Sequence, residues 1–206
     1  MTRNVGNRPT RSGPISAPIC WIEGTGVSYW ASAVEAKLCE GEEIALVGAG
    51  NSAGQACVYL APKVKKLHLI CRGKGLEASM SKYLIDRIGA LPNVELHAST
   101  EIVGLEGDGN GGIKNATFRC RDTGELKVAA PRHLFLFIGA DPNADWLSKR
   151  VDVDGKGFVI TGQHFAQGRA GSNRAPLPLE TSVPGVFAIG DVRAGSTKRV
   201  AAAVGE

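Results

Sequence analysis

The sequence has few cysteines, and none of them lie at the spacing that redox or zinc sites use. The five are Cys20, Cys39, Cys57, Cys71 and Cys120. No two form a C-x-x-C pair, so the sequence indicates neither a redox dithiol nor a zinc knuckle, and it predicts no metal site. We expect these residues to be small, buried hydrophobic side chains.

Long apolar runs are also absent. No stretch is long enough to span a bilayer, and the N-terminus lacks the apolar core of a signal peptide, so we expect a cytoplasmic protein with no membrane partner. The net charge of +4 comes largely from Arg3, Arg8 and Arg11, in a segment without acidic residues. Because no basic stripe is interleaved with aromatic residues, we expect no nucleic-acid partner.

Glycine, by contrast, is abundant, with 27 residues among 206, and the most informative glycines follow a short apolar run. Residues 43–47 lead into Gly48-x-Gly50-x-x-Ala53, a helical pattern follows to about Leu60, and a second apolar strand occupies residues 66–71. This order predicts the strand, glycine turn and helix of a dinucleotide-binding βαβ unit.

Each small residue in this turn has a predicted role. Gly48 allows the sharp turn out of the strand, Gly50 allows the backbone to approach a pyrophosphate, and Ala53 allows the helix to pack closely on the strand. A tight turn that binds nothing is the alternative, but the complete βαβ context favours binding. The predicted nucleotide-binding residues of the turn are Gly48, Ala49, Gly50, Asn51, Ser52 and Ala53.

The end of the second strand predicts which dinucleotide binds. NAD sites usually place an acidic residue there, whereas this chain has Arg72 and, two residues later, Lys74. A guanidinium suits the 2′-phosphate of NADP, with which it makes forked, charge-assisted hydrogen bonds. A solvated surface charge is the alternative for Arg72, and NAD is the alternative cofactor.

The remaining pattern indicates an α/β fold, in which a Rossmann-like parallel sheet is interrupted by a β-meander. His97 ends one predicted strand, and we expect it to be a strand-edge residue and not a catalytic one. Predicted helices cover residues 31–39, 79–88, 144–147 and 199–206, and predicted strands cover 94–97, 101–106, 113–121, 125–129, 133–139, 151–154, 157–161 and the segment that ends at Gly190-Asp191, with a loop over 162–178.

Four motifs together resemble those of the thioredoxin-reductase-like flavoproteins, the second class of pyridine nucleotide-disulfide oxidoreductases. They are Gly-x-Gly-Val-Ser-Tyr at 24–29, Gly-Ala-Gly-Asn-Ser-Ala at 48–53, Phe-Ile-Gly-x-x-Pro-Asn at 137–143, and the segment from Thr181 to Asp191. The resemblance implies that residues 48–53 form the NADPH loop. It implies that the chain crosses between domains at residues 24–29 and again at residues 137–143, a segment that includes Gly139. It also implies that Gly190 and Asp191 contact FAD.

The chain departs from the family at the redox-active dithiol. Where disulfide reductases of this family have Cys-x-x-Cys, this sequence has Trp30 and Ala33. Disulfide exchange needs a thiolate nucleophile and a resolving thiol, so we expect no reduction of thioredoxin and name no catalytic residue. Near the flavin, the family's Arg-Gln-Ala is replaced by Lys198, Arg199 and Val200.

The resemblance also implies a division of the chain. Residues 1–23 are predicted to be an irregular lead-in too short for the family's first FAD-binding βαβ unit, 24–143 the NADPH-binding domain, and 144–206 part of a C-terminal FAD-binding domain. We therefore expect a truncated or split form, or a fragment, of such a protein, with FAD bound in the intact parent.

The implied function is that of an oxidoreductase module. Hydride would pass from NADPH to FAD and then to an acceptor other than an internal disulfide: a ferredoxin or flavodoxin, a quinone or a small molecule. A non-catalytic nucleotide-binding sensor, or a degenerate fragment, is the alternative. Family members are often homodimers, so a homodimer is also an expectation.

Overall fold

The computed structural model describes residues 26–139, 141–147, 150–162 and 175–206. The predicted lead-in over residues 1–23, the beginning of the motif at Gly24 and most of the loop predicted over 162–178 lie outside these ranges. The chain divides into two compact units, one ending at Ile138 and the other beginning at Gly139.

The first unit is built on a parallel sheet with a separate meander. Its strands are β1 (Val27–Ser28), β2 (Glu43–Val47), β3 (Lys66–Ile70), β4 (Val94–His97), β5 (Thr100–Gly107), β6 (Ile113–Cys120), β7 (Leu126–Ala129) and β8 (His133–Leu136). Five of them form a parallel sheet in the order β1-β8-β2-β3-β4, and the other three form an antiparallel sheet in the order β5-β6-β7. The predicted α/β class, with a parallel sheet and a meander, is confirmed.

Helices cover one face of the parallel sheet. They are α1 (Ala33–Leu38), α2 (Asn51–Leu60) and α3 (Lys82–Gly89). Leu46 and Leu69 from the sheet are fully buried in one cluster with Leu60 of α2 and Leu84 of α3. Near-continuous apolar runs such as residues 44–46 and 67–70 are what a parallel sheet covered on both faces requires.

The meander covers the opposite face of that sheet. Ile70 and Leu134 of the parallel sheet share a buried cluster with Leu105, Ile113 and Phe118 of β5 and β6. A glycine-rich hairpin tip lies between β5 and β6, where the Asp108 carboxylate accepts hydrogen bonds from the Asn110 and Gly112 N–H groups. The first unit is therefore a three-layer arrangement of helices, parallel sheet and meander.

The second unit has little regular structure among its described residues. A 3₁₀ turn covers Asp145–Leu147, a second one covers Gly190–Val192, and the last helix, α4, covers Val200–Gly205. The prediction of a strand that ends at Gly190-Asp191 is wrong for the described residues. Phe187 makes only an isolated bridge with Glu180. An apolar run becomes a strand only where a neighbour continues the ladder.

Across the described ranges, the longest apolar helix falls well short of what crossing a membrane requires.

Candidate functional site

The glycine turn lies at the carboxyl edge of the parallel sheet, between β2 and α2. The backbone at Gly48 has φ +155°, and a Cβ added there would lie 2.7 Å from the Phe137 carbonyl oxygen and 2.8 Å from the Ala53 Cβ. Gly48 therefore allows the turn to pack between the end of β8 and the first turn of α2. Ala53 is fully buried, which agrees with its predicted role in close helix–strand packing.

The space in front of α2 is open. Gly50 is the N-cap of this helix, with φ −86° and no side-chain capping bond. A Cβ added to it would meet no atom of the described residues within 4 Å. The first-turn residues Asn51, Ser52 and Ala53 are uncharged, and helix geometry leaves their N–H groups without intrahelical acceptors. These donors and the positive end of the helix dipole suit an anionic group.

Two hydrogen bonds fix the turn from the segment that precedes α3. The Ser79 hydroxyl donates to the Ala49 carbonyl oxygen at 2.8 Å, and the Ser81 N–H donates to the Asn51 side-chain oxygen at 2.7 Å. The predicted site residue Asn51 thus anchors the start of α3 through its oxygen. Ser79 and Ser81 were not predicted, because their sequence distance from the turn gives no signal of this contact.

The strand edge next to the turn carries positive charge. Arg72 and Lys74 follow β3 and both are exposed, as a phosphate-binding role requires. An Nη1 atom of Arg121 donates to the Arg72 carbonyl oxygen at 3.3 Å, so a third basic side chain lies at the same strand end. Sequence reasoning missed Arg121, although its position as the last residue of a predicted meander strand was the available signal.

Backbone hydrogen bonds explain how Arg121 reaches this position. The Ser99 N–H donates to the Gly73 carbonyl at 2.7 Å, and the Arg121 N–H donates to the Ser99 carbonyl at 2.6 Å. The end of β6 is therefore held beside the end of β3. The arrangement places a glycine turn and a basic strand end at the carboxyl edges of adjacent strands, where open α/β sheets bind nucleotides.

The segment from Trp30 to Ala33, where the family resemblance implies the position of a dithiol, leads into α1. Ser32 is the N-cap of α1 and forms a reciprocal capping box with Glu35, and the Trp30 indole N–H donates to the Glu35 carboxylate at 2.9 Å. The hydrogen bond from the Ser32 hydroxyl is the main reason that the pKa of Glu35 is lowered to about 2, and the other hydrogen bonds act in the same direction. Trp30 and Ala33 thus frame a helix start with no sulfur atom, and thiol chemistry at these two positions is excluded.

The predicted flavin-contact residues lie in the second unit. Gly190 is buried at φ +71°, where a Cβ would lie 3.2 Å from the Ala203 Cβ, while Asp191 is exposed. The Lys198 ammonium donates to the carbonyls of Asp191 at 2.5 Å and Arg193 at 3.1 Å. It also lies 4.1 Å from the centre of the Phe158 ring.

The other predicted residues of this unit make no comparable cluster among the described residues. Arg199 precedes α4 and Val200 begins it, and both are exposed. Gly139, the first residue of the unit, is exposed at φ +92°. The structure thus brings the Lys198 ammonium group to the turn that contains Gly190 and Asp191.

Comparison with known proteins agrees with this geometry. The family model described as pyridine nucleotide-disulphide oxidoreductase matches residues 12–206, and the chain belongs to that family. Within the family it is a thioredoxin-reductase-like module. It is 33% identical over 168 residues to NADPH-dependent thioredoxin reductase 3 of Arabidopsis thaliana, covering 82% of this chain and 29% of that protein. It is 29% identical over 190 residues to the thioredoxin reductase of Borreliella burgdorferi, covering 91% of this chain and 52% of that protein.

Solved structures give the same result for the fold. The thioredoxin reductase of T. acidophilum superimposes with a TM-score of 0.73 at 25% identity, covering 90% of this chain and 55% of that one. The thioredoxin reductase of Lactococcus lactis superimposes with a TM-score of 0.76 at 24% identity, covering 97% of this chain and 59% of that one. In each case the chain corresponds to little more than half, or less, of the relative's length.

Proposed function

We propose that this chain is the NADP(H)-binding module of a flavin-dependent oxidoreductase that passes hydride from NADPH to FAD and then to an acceptor other than a disulfide. The observation that carries the proposal is the open helix start at Gly50, next to a strand end that bears Arg72. An open helix start can receive a pyrophosphate, and a guanidinium at that strand end fits a 2′-phosphate.

The residues of this chain would divide the work of binding. The backbone around Gly48 and Gly50 would receive the pyrophosphate. Arg72, supported by Lys74 and Arg121, would bind the 2′-phosphate and so favour NADP over NAD. A charge-assisted hydrogen bond is stronger than a neutral one, so this pairing is the expected source of cofactor selectivity.

FAD would be held in part by Asp191, whose exposed carboxylate follows the buried turn residue Gly190. When bound, FAD supplies the redox chemistry, while the protein supplies orientation and electrostatics. The sequence at Trp30 and Ala33 provides no thiol to receive electrons. For this reason the proposed acceptor is a ferredoxin or flavodoxin, a quinone or a small molecule.

A non-catalytic nucleotide-binding sensor is the second candidate. The observation in its favour is that the Lys198 ammonium donates to the carbonyls of Asp191 and Arg193 and lies over the Phe158 ring. A lysine held in this way offers less polar contact to a flavin. Flavin absorbance of the purified protein, and NADPH oxidation with ferricyanide as acceptor, separate the candidates: a colourless, inactive protein that still binds NADPH would be a non-catalytic sensor or a degenerate fragment.

The first test of the proposal is calorimetric titration of the purified chain with NADPH and, separately, with NADH. We expect saturable binding of NADPH that is clearly tighter than that of NADH. Equal affinities would contradict the 2′-phosphate role of Arg72. The absence of binding for both nucleotides, in a chain that circular dichroism shows to be folded, would overturn the proposed function.

A further inference from the structure

Two histidines and a glutamate lie together between the parallel sheet and the meander. The register of β3 and β4 pairs His68 with Glu95 and Ile70 with His97. Since side chains two residues apart in a strand share a face, Glu95 and His97 both lie beside His68. Phe118 of β6 packs edge-on against both imidazoles, with ring centres 5.5 and 5.3 Å away.

The potential ligand atoms of these residues are close to one another. His68 Nδ1 and His97 Nε2 are 2.9 Å apart. Oxygens of the Glu95 carboxylate lie 3.7 Å from His68 Nδ1 and 3.6 Å from His97 Nε2. Ligands bound at 2.0–2.1 Å to a tetrahedral zinc ion are separated by about 3.3 Å, so a small adjustment brings all three atoms to zinc-binding distance.

A second carboxylate already orients the buried histidine. His68 is 1% exposed, and its Nε2 lies 2.9 Å from the Glu43 Oε1. In the tautomer whose Nε2 donates to this carboxylate, Nδ1 carries the free electron pair and faces His97 and Glu95. Metal-binding histidines characteristically donate their other ring N–H to a carboxylate in this way.

We propose that His68 Nδ1, His97 Nε2 and the Glu95 carboxylate form a binding site for a divalent transition-metal ion of the zinc type. The ion replaces the hydrogen bond between the two imidazoles, and His97 adopts the tautomer that carries its proton on Nδ1. The partly exposed Glu95, at 36% of its side chain, provides the route of entry. A metal there joins β3 to β4 beneath the meander and is independent of the nucleotide function proposed above.

Two lysines compete with a cation for the same carboxylate. Lys66 Nζ lies 2.8 Å from a Glu95 oxygen, and Lys127 forms an ion pair with the other oxygen. The metal therefore displaces at least one ammonium group, and we expect Lys127, which reaches over from β7, to be the one that moves. This competition gives the proposal a signature of its own: removing the Lys127 charge tightens metal binding.

The test is titration of the tag-free, EDTA-treated chain with Zn²⁺, in competition with a chromophoric chelator, and with Co²⁺, followed by visible absorbance. We expect one ion per chain and a cobalt spectrum of low coordination number. Glu95→Gln and His97→Gln should remove the spectrum, and Glu43→Gln should weaken zinc binding by about 10–100-fold, as loss of such an orienting carboxylate typically does. Lys127→Gln should tighten binding.

Matched controls make the outcome decisive. His133→Gln removes a histidine outside the cluster, and Cys120→Ser removes a partly exposed thiol; both should leave affinity unchanged. If His97→Gln does not fold, Glu95→Gln alone decides, because its side chain is partly exposed and similar in shape. Absence of saturable binding, or equal affinity in the wild type and Glu95→Gln, would overturn the proposal.

Discussion

The Asn51 side-chain oxygen accepts a hydrogen bond from the Ser81 N–H at 2.7 Å, which ties the first residue of α2 to the N-cap of α3. The contact joins the glycine turn to a helix 30 residues away in the sequence. It gives the motif asparagine a structural role in addition to any contact with a bound nucleotide.

Two substitutions at Asn51 separate these roles. Asn51→Ala leaves the Ser81 N–H without its acceptor and should lower the free energy of unfolding by about 1 kcal/mol. Asn51→Asp keeps an oxygen acceptor, so stability should be retained, but its negative charge should weaken NADPH binding. Denaturant unfolding and calorimetry measure the two effects. Equal stability of the wild type and Asn51→Ala would show that the hydrogen bond contributes nothing.

The two glycines of the turn should respond differently to alanine. At Gly48 the added Cβ would lie 2.7 Å from a backbone oxygen, so Gly48→Ala should destabilise the protein by about 1–3 kcal/mol or more. At Gly50 the Cβ enters open space, and the poorer N-cap is offset by the lower entropy of the unfolded chain, so Gly50→Ala should change stability by less than about 1 kcal/mol. That Cβ would lie where we propose that the pyrophosphate binds, so Gly50→Ala should bind NADPH poorly.

Thermal unfolding and nucleotide titration of both glycine variants provide the measurement. A Gly50→Ala protein with unchanged NADPH affinity would contradict the placement of the pyrophosphate at this turn. A fully stable Gly48→Ala protein would contradict the close approach of Phe137.

Arg72→Ala tests cofactor selectivity. Loss of a charge-assisted contact with the 2′-phosphate should weaken NADPH binding by about 1.5–3 kcal/mol and leave NADH binding nearly unchanged. Arg121→Ala should act in the same direction. Arg119→Ala is the control, because Arg119 is paired with Glu101 at 2.6 Å. Equal weakening of both nucleotides by Arg72→Ala would exclude the phosphate role.

Stability should depend on pH through His133. Burial lowers the pKa of this imidazole from its usual value of 6.5. The unfolded chain therefore binds a proton first as the pH falls below about 6.5, and stability is lost until the lower folded-state pKa is reached. His133→Gln should reduce the slope of stability against pH between pH 7 and 5, as measured by urea unfolding. An unchanged slope would show that His133 does not contribute.

Features with a local cause could be predicted from the sequence. The order of β2, turn, α2 and β3 follows from apolar runs and from the turn glycines, and the close approach of the Phe137 carbonyl oxygen confirms the need for glycine at Gly48. The start of α3 differs by three residues from the prediction of residue 79, because Ser81 becomes the N-cap once its N–H is bound by Asn51. That contact is tertiary, so no local pattern contains it.

Features that depend on strand pairing could not be predicted. Arg121 reaches the end of β3 only because Ser99 bridges the two backbones, and His68 meets His97 only through the register of β3 and β4. The strand predicted before Gly190 failed for the opposite reason: its apolar residues suit a ladder, but Phe187 pairs with Glu180 alone. Register is a property of two segments, and a single-segment pattern does not contain it.

The capping box at Ser32 has a consequence for chemical inhibition. Reagents that need two neighbouring thiols have no target at the helix start between Trp30 and Ala33, because the residues there carry no sulfur. Among the described cysteines, Cys39, Cys57 and Cys71 are buried, and Cys120 is partly exposed. Hydrogen bonds, chiefly with the Thr123 side chain, lower the pKa of Cys120. Of these four described cysteines, alkylating reagents should therefore label Cys120 first, at the end of a meander strand.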